Sequence, residues 1–201
     1  MPLQPWFTKG KVEAGCDEAG RGCLAGPVFT AAVILPPDFF HPLLNDSKKL
    51  TAGQRDHLRE VVEKEAISWS VASLEAPEID RFNILNATFM AMHKAIRGLH
   101  SKPEALLIDG NRFLPFPGIP HTCLVKGDSR FASIAAASVL AKTHRDACML
   151  SWHSQYPGYH WDENKGYPTT KHREAIKLNG TTPLHRQSFK LLPKPAVPAL
   201  R

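Results

Sequence analysis

The sequence has no apolar run approaching the roughly 20 residues that a membrane-crossing helix requires, which excludes a helical span. Its opening, Met1-Pro2-Leu3-Gln4-Pro5-Trp6, has no basic stretch leading into an apolar core, so no secretory leader is expected. Cysteine is scarce. Cys16, Cys23, Cys123 and Cys148 form no Cys-x-x-Cys pair, and no histidine stands at zinc-finger spacing from them. Free, buried or partly buried thiols are expected, which suits a reducing compartment and a cytoplasmic protein. No internal repeat and no low-complexity block is present.

What is present is an ordinary globular composition. Apolar residues make up 43% and charged residues 22% of 201 residues, enough to bury a core in one domain. The expected division is a single domain over 1–201, with a core over about 10–155, a helical C-terminal part over about 156–190 and a frayed tail over 191–201. The formal net charge is +6. A basic balance favours polyanionic partners, nucleic acid foremost, although charge also serves solubility alone.

Hydrophobic patterning gives the elements. Residues 11–16 are a short segment before a glycine-rich turn, and Asp17 and Glu18 end the first strand. The run Val28 to Leu35, stopped by Pro36-Pro37, reads as a buried strand. Asp46 to Leu50 is a polar turn, after which Thr51 caps a helix over about 52–65. Ile67 to Leu74 alternates as a strand. Pro77 to Leu99 is mostly helical by its apolar spacing. Ala105 to Ile108 and Thr122 to Val125 are short strands, and an alanine-rich helix runs from about Phe131 to Trp152 until Pro157-Gly158. A last helix is expected near 169–178. The class is α/β or α+β with a mixed sheet.

Four acids stand at element ends: Asp17 and Glu18 end the first strand, Asp109 ends the Ala105–Ile108 strand, and Asp128 follows the next strand just before the long helix. Strand ends gathered at one sheet edge are where such folds build sites. The glycines beside these acids (Gly15, Gly20, Gly110 and Gly127) are expected to let a ligand approach the backbone. Crowded carboxylates are suited to hard divalent cations such as Mg²⁺ and Mn²⁺. Two cations about 4 Å apart can activate water and stabilise a leaving oxygen in phosphodiester cleavage. The plainer readings stay open: an Asp-Gly after a strand also serves a simple turn, and Asp128 also suits a helix cap. Asp146 lies roughly 27 Å along the same helix from Asp128, too far to share a metal, and its neighbour Arg145 is the expected ion-pair partner. Glu60, Glu63 and Glu65 sit among basic residues on a solvated helix face, and Asp80 is expected to cap or pair locally.

Gly15-Cys16-Asp17-Glu18-Ala19-Gly20-Arg21-Gly22 closely resembles the signature of the ribonuclease HII family. The likeness extends through Ala25-Gly26-Pro27-Val28, Asp46-Ser47-Lys48-Lys49-Leu50, Ile84 to Met92, Ile108-Asp109-Gly110, Lys126-Gly127-Asp128, Ser133 to Ser138, Ala141-Lys142, Asn164 to Thr169 and His185-Arg186-Gln187-Ser188-Phe189. It spans roughly 15–189. The resemblance implies an RNase H-like fold, a central mixed β-sheet flanked by helices with a helical C-terminal extension. It implies cleavage of RNA paired with DNA and nicking 5′ to a single ribonucleotide in duplex DNA, leaving 5′-phosphate and 3′-hydroxyl ends. The family's four carboxylates fall on Asp17, Glu18, Asp109 and Asp128.

The same resemblance assigns Gly20, Arg21 and Gly22 to reading the ribose 2′-hydroxyl, the group that tells RNA from DNA. It places the ring of Tyr167 on the deoxyribose beyond the cut, and gives Ser47 and Lys48 contacts to the nucleic-acid backbone. Lys142 and His185-Arg186 are further candidates, whose plainer readings are a helix-surface lysine and a tail ion pair. Cys16 and Cys23 read as small apolar fillers. The related ribonuclease HIII family carries an extra N-terminal domain, for which the 14 residues before Gly15 leave no room, so HII and a monomer are expected. Two other classes fit the residues less well. A non-catalytic nucleic-acid-binding protein would not need the four acids, and a Mg²⁺-dependent phosphatase acting on small substrates lacks a marked nucleophile here.

Overall fold

The structure is a computed structural model that describes residues 3–192. The expected tail lies outside the described residues from 193 onward. Five strands form one sheet: β1 (Glu13–Ala19), β2 (Val28–Ile34), β3 (Ser68–Leu74), β4 (Ala105–Asp109) and β5 (His121–Leu124), in the order β3-β2-β1-β4-β5. The first three pair antiparallel, and β4 and β5 run parallel to β1. The sheet is therefore mixed, as expected. The helices are α1 (Ala52–Glu65), α2 (Ala76–Phe82), α3 (Ile84–Arg97), α4 (Ala132–Gln155), α5 (Trp161–Asn164) and α6 (Thr170–Asn179).

The period-two alternation of the strands divides the core into two layers. On one face, Ala14, Cys16, Ala32, Ile34, Leu106 and Ile108 pack against Met92, Ala95 and Ile96 of α3. On the other, Ala19, Ala31 and Val33 meet Ala136, Ala137, Leu140 and Ala141 of α4, with Val62 of α1 behind them. The small side chains of α4 let its backbone come close to β1. A Cβ on Gly15 would stand 2.2 Å from the carbonyl carbon of Ser133 and 2.4 Å from the nitrogen of Ile134. Gly15 is thus the point where helix touches strand, and Asp17, two residues on, faces the same helix.

Boundaries follow the sequence closely, with three differences. The first strand starts at Glu13 and runs one residue past the acids expected to end it, to Ala19, with Asp17 opposite Ala31 and Glu18 opposite Thr30. The helix expected across 77–99 is two helices, broken at Asn83. That residue takes a φ of 64° and its side chain accepts from the Asn86 N–H, capping α3. The apolar spacing from Ile84 onward carries no sign of this break; the capping residue does. Asp128 lies in a single helical turn, Gly127–Ser129, and Phe131 occupies the cap position of α4, so Asp128 does not cap that helix. Thr51 caps α1 as expected, within a reciprocal pair of bonds with Gln54.

The C-terminal part packs back on the segment that follows the glycine-rich turn. Leu24 and Ala25 share a cluster with Met149, Tyr159, Trp161, Ala175, Ile176 and Leu184. Two buried histidines sit within it. His172 Nδ1 lies 2.9 Å from the Tyr167 carbonyl, which fixes the proton on Nδ1 and leaves Nε2 to accept from Trp161 Nε1 at 3.1 Å. His185 Nδ1 accepts from the Thr182 N–H, so its Nε2 carries the proton and faces His172 Nε2 at 3.4 Å. Both rings are neutral in this arrangement. Burial lowers both, and His185, with His172 beside it, falls to about 4. No helix among the described residues is long and apolar enough to cross a membrane.

Candidate active site

Three of the four acids meet at the C-terminal edge of the parallel strands. Asp17 reaches the edge from β1, Asp109 from the end of β4, and Asp128 from the turn after β5. Each places a carboxylate oxygen within 4.8 Å of the other two. Asp17 and Asp128 are each only 4% exposed. Asp17 Oδ1 accepts from the Glu18 N–H at 2.7 Å, and Ser138 of α4 lines the cleft beside this carboxylate. Asp109 Oδ1 accepts from the Gly127 N–H at 2.7 Å, which ties the end of β4 to the turn that carries Asp128.

Glu18 stands apart from that trio. Strand alternation turns it to the opposite face from Asp17, where it meets Arg21 Nη1 at 3.1 Å. It lines the same cleft as Asp17 and Asp109.

The electrostatics are those of a crowded anionic site. Burial, then the charges of Glu18 and Asp109, push the Asp17 carboxyl well above the usual carboxylate range. Burial raises Glu18, against the pull of Arg21. Burial raises Asp128 too, with Asp109 and Asp46 adding to the rise and Lys48 opposing it. Lys48 Nζ lies 3.5 Å from Asp128 Oδ2 and 3.8 Å from Asp46 Oδ1. Buried carboxylates that repel one another, all hard oxygen donors, form a set that fits a divalent cation of the Mg²⁺ or Mn²⁺ type. Among the described residues a second possible grouping, His160, Asp162 and Glu163, lies elsewhere and more exposed.

The residues expected to bind substrate come together. Gly20, Arg21, Gly22, Ser47, Lys48, Lys142 and Tyr167 line one cleft with Asp17, Glu18 and Asp109. Their settings differ. Lys48 is exposed, whereas Ser47 is buried, with its hydroxyl 2.8 Å from that of Ser138. Lys142 Nζ is held by Asp146 at 2.8 Å and lies 5.3 Å from the Tyr167 ring centre. This corrects the expected Arg145–Asp146 pair. Residues four apart share a helix face and adjacent ones do not, so Asp146 takes Lys142, and Arg145 turns into the core, fully buried. Asp80 is not local either: it accepts from the N–H groups of Gln187 and Ser188.

The flanking glycines need a second correction. A Cβ on Gly20 would strike the Arg145 side chain at 2.0 Å, and one on Gly127 would lie 2.6 Å from Ile134 Cδ1. With Gly15 against α4, three of the four glycines beside the acids serve close packing. Gly110 and, within the turn, Gly22 are the ones with open space around them. His185 and Arg186 do not form the exposed tail ion pair that their plainer reading expects. Both are buried, and Arg186 donates to the carbonyls of Gly26 and Arg21 at 2.9 Å each.

Four more residues border the acids: Ser138 in the cleft, Asp46 near Lys48, and Asn111 and Arg112. The last two line a second groove with Glu18, Arg21, Phe89 and Asp109. The polar run Asn111-Arg112 directly after Asp109-Gly110 was the available signal for it. Ser138 lies in the Ser133–Ser138 stretch of the family likeness, but as one small residue in an alanine-rich helix it does not stand out as a site residue.

Comparison with known proteins agrees with this architecture. The family model described as Ribonuclease HII matches residues 14–192. The chain is 60% identical over 192 residues to a ribonuclease HII of Parabacteroides distasonis, covering 96% of each. It is 60% identical over 190 residues to one of Bacteroides thetaiotaomicron, covering 94% of this chain and 95% of that one. Among solved structures, the ribonuclease H2 of Pyrococcus horikoshii superposes with a TM-score of 0.77 at 23% identity, over 89% of this chain and 94% of that one. The RNase HII of Archaeoglobus fulgidus, solved as a PCNA:RNase HII complex, gives 0.73 at 25% identity, over 91% and 97%. A Bst-RNase HIII in complex with Mn²⁺ gives 0.70 at 18% identity, over 90% of this chain and 68% of that one.

Proposed function

The chain belongs to the ribonuclease HII family of metal-dependent endoribonucleases, and from that membership we propose that it nicks duplex DNA on the 5′ side of a single embedded ribonucleotide, besides cutting the RNA strand of long RNA–DNA hybrids. The products carry 5′-phosphate and 3′-hydroxyl ends, and the nick opens excision of the ribonucleotide. The observation that carries the reading is the shared cleft: Asp17, Glu18 and Asp109 line the same walls as the Gly20–Gly22 turn and Tyr167.

In this reading Asp17, Glu18, Asp109 and Asp128 hold two divalent cations, Mg²⁺ or Mn²⁺. The bound cations would supply an activated water and neutralise charge on the leaving oxygen. The chain's own groups do the rest. Asp17 is held by the Glu18 N–H and Asp128 by Lys48, so the donor oxygens are aimed before substrate arrives. Gly20, Arg21 and Gly22 present backbone and a guanidinium to the ribose and its phosphate. The Tyr167 ring packs on the next sugar, with Lys142 over its face. Lys48, exposed above Ser47, meets the nucleic-acid backbone.

The enzyme works as a monomer, as one catalytic unit, in the cytoplasm, where its four free thiols stay reduced. Incubation with duplex DNA carrying one ribonucleotide tests the reading. A nick 5′ to that residue is expected with Mg²⁺ or Mn²⁺, and its absence with both would overturn the proposal.

A further inference from the structure

Two arginines lie wholly buried beneath the glycine-rich turn. Arg145, from α4, donates through Nε to the Pro27 carbonyl at 3.2 Å, through Nη1 to Lys165 at 2.8 Å and through Nη2 to Ala25 at 3.2 Å. Arg186 donates through Nε to Gly26 and through Nη1 to Arg21, both at 2.9 Å. Neither forms an ion pair among the described residues, and Arg186 Nη2 is buried without a partner. Burying a guanidinium without a carboxylate is costly. These two charges are spent almost entirely on main-chain carbonyls of one loop, 21–27, and on the residue two before Tyr167.

The consequence follows from peptide geometry. In a trans peptide the carbonyl and the next residue's N–H point in opposite directions. Arg186 draws the Arg21 carbonyl inward, so the Gly22 N–H of the same peptide is directed away from the guanidinium. Gly22 lines the cleft, has no atom within 4 Å of the place a Cβ would take, and its N–H donates to no protein acceptor among the described residues. Arg145 supports the same turn from the other side. It occupies the space a Gly20 side chain would need, and its guanidinium lies 5.4 Å from the Tyr167 ring centre.

We infer that Arg186 and Arg145 are positioning residues for ribonucleotide recognition: Arg186 aims the Gly22 N–H into the cleft through the Arg21 carbonyl, and Arg145 sets the height of Gly20 and of the Tyr167 ring. The inference rests on the proposed reading of this turn as the ribose check. It gives the buried C-terminal segment His185-Arg186 a part in selectivity without contact to substrate.

The test measures binding selectivity in the Asp17→Asn background, which stops cutting. Fluorescence anisotropy gives the affinity for two duplexes that differ only in one 2′-hydroxyl. Adding Arg186→Gln is expected to lower the ratio of the two affinities about tenfold, the size of one well-placed hydrogen bond. Arg186→Lys is expected to lower it similarly, because an ammonium cannot hold two diverging carbonyls as a fork does. The stabilisation by Mn²⁺ should survive in the Arg186 single variants, since the carboxylates are untouched. A folded Arg186→Gln or Arg186→Lys protein that keeps the parent ratio would overturn the inference. So would failure of both to fold, which would make Arg186 a stability device only. If the Asp17→Asn parent itself binds both duplexes equally, the reading of the turn fails instead, and the two failures are distinguishable.

Discussion

The hydroxyls of Ser47 and Ser138 lie 2.8 Å apart, and Ser138 lines the cleft with Asp17. This pair links the loop that carries Lys48 to helix α4 at the point where the acids meet. Ser138→Ala leaves the buried Ser47 hydroxyl unpaired, at a cost of about 1–3 kcal/mol. It also removes a hydroxyl from the cleft wall beside Asp17. Thermal unfolding should register the first effect, and a several-fold rise in the Mg²⁺ concentration needed for half-maximal cutting the second.

Gly15 and Gly22 should respond in opposite ways to the same substitution. Gly15→Ala sets a methyl 2.2 Å from the backbone of Ser133, where neither strand nor helix can give way, and overpacking of this kind costs about 1–3 kcal/mol or more. Gly22→Ala meets no atom within 4 Å, so stability should stay within about 0.5 kcal/mol. Its methyl would instead occupy the cleft. The expected result is a poorly folded Gly15 variant and a well-folded Gly22 variant with at least tenfold weaker cutting, read by calorimetry and a gel assay.

The acid cluster should weaken the metal-free fold. A carboxyl raised in the folded state binds more protons folded than unfolded. Its stabilising contribution is complete below the ordinary carboxylate range and is lost as pH rises through the elevated folded value. Asp17 and Asp128 both shift this way, so in chelator the protein should lose stability as pH rises from the carboxylate range toward neutrality. Asp17→Asn should abolish cutting yet stabilise the metal-free protein at neutral pH by about 0.5–2 kcal/mol. Added Mn²⁺ should raise the melting temperature of the unmodified chain more than that of the variant.

The histidine pair should act in the opposite sense. His185 is lowered to about 4, so its contribution is present above the ordinary histidine value and lost as pH falls toward 4. Protonating His172 Nε2 would set a proton against the Trp161 donor. Denaturant titrations should show stability falling between pH 6.5 and pH 4 by up to about 1.4 kcal/mol per pH unit for each such group. His185→Gln should flatten that slope.

Much of the fold was legible because its signals are local. Thr51 announces a capped helix, Pro36-Pro37 ends β2, and Ala105–Ile108 runs straight into Asp109. The three clustered acids were legible because each stands at the end of an element, where strands converge. What local reading cannot supply is the third dimension. Gly15 looked like room for a ligand and is room for α4. Arg145 looked like a partner for its neighbour Asp146 and instead reaches the carbonyls of Ala25 and Pro27, 118 or more positions away. Asn83 carried its signal openly as a capping residue, but the apolar spacing that follows it drew the helix as continuous.

The most direct measurement compares duplexes that are identical except for one 2′-hydroxyl, incubated with the unmodified protein and Mg²⁺ or Mn²⁺, with the cut position mapped at nucleotide resolution. The account predicts a single nick on the 5′ side of the ribonucleotide, a 5′-phosphate on the product, and no cut in the all-deoxy duplex. Equal cutting of both duplexes, or a cut elsewhere than next to the ribonucleotide, would contradict it.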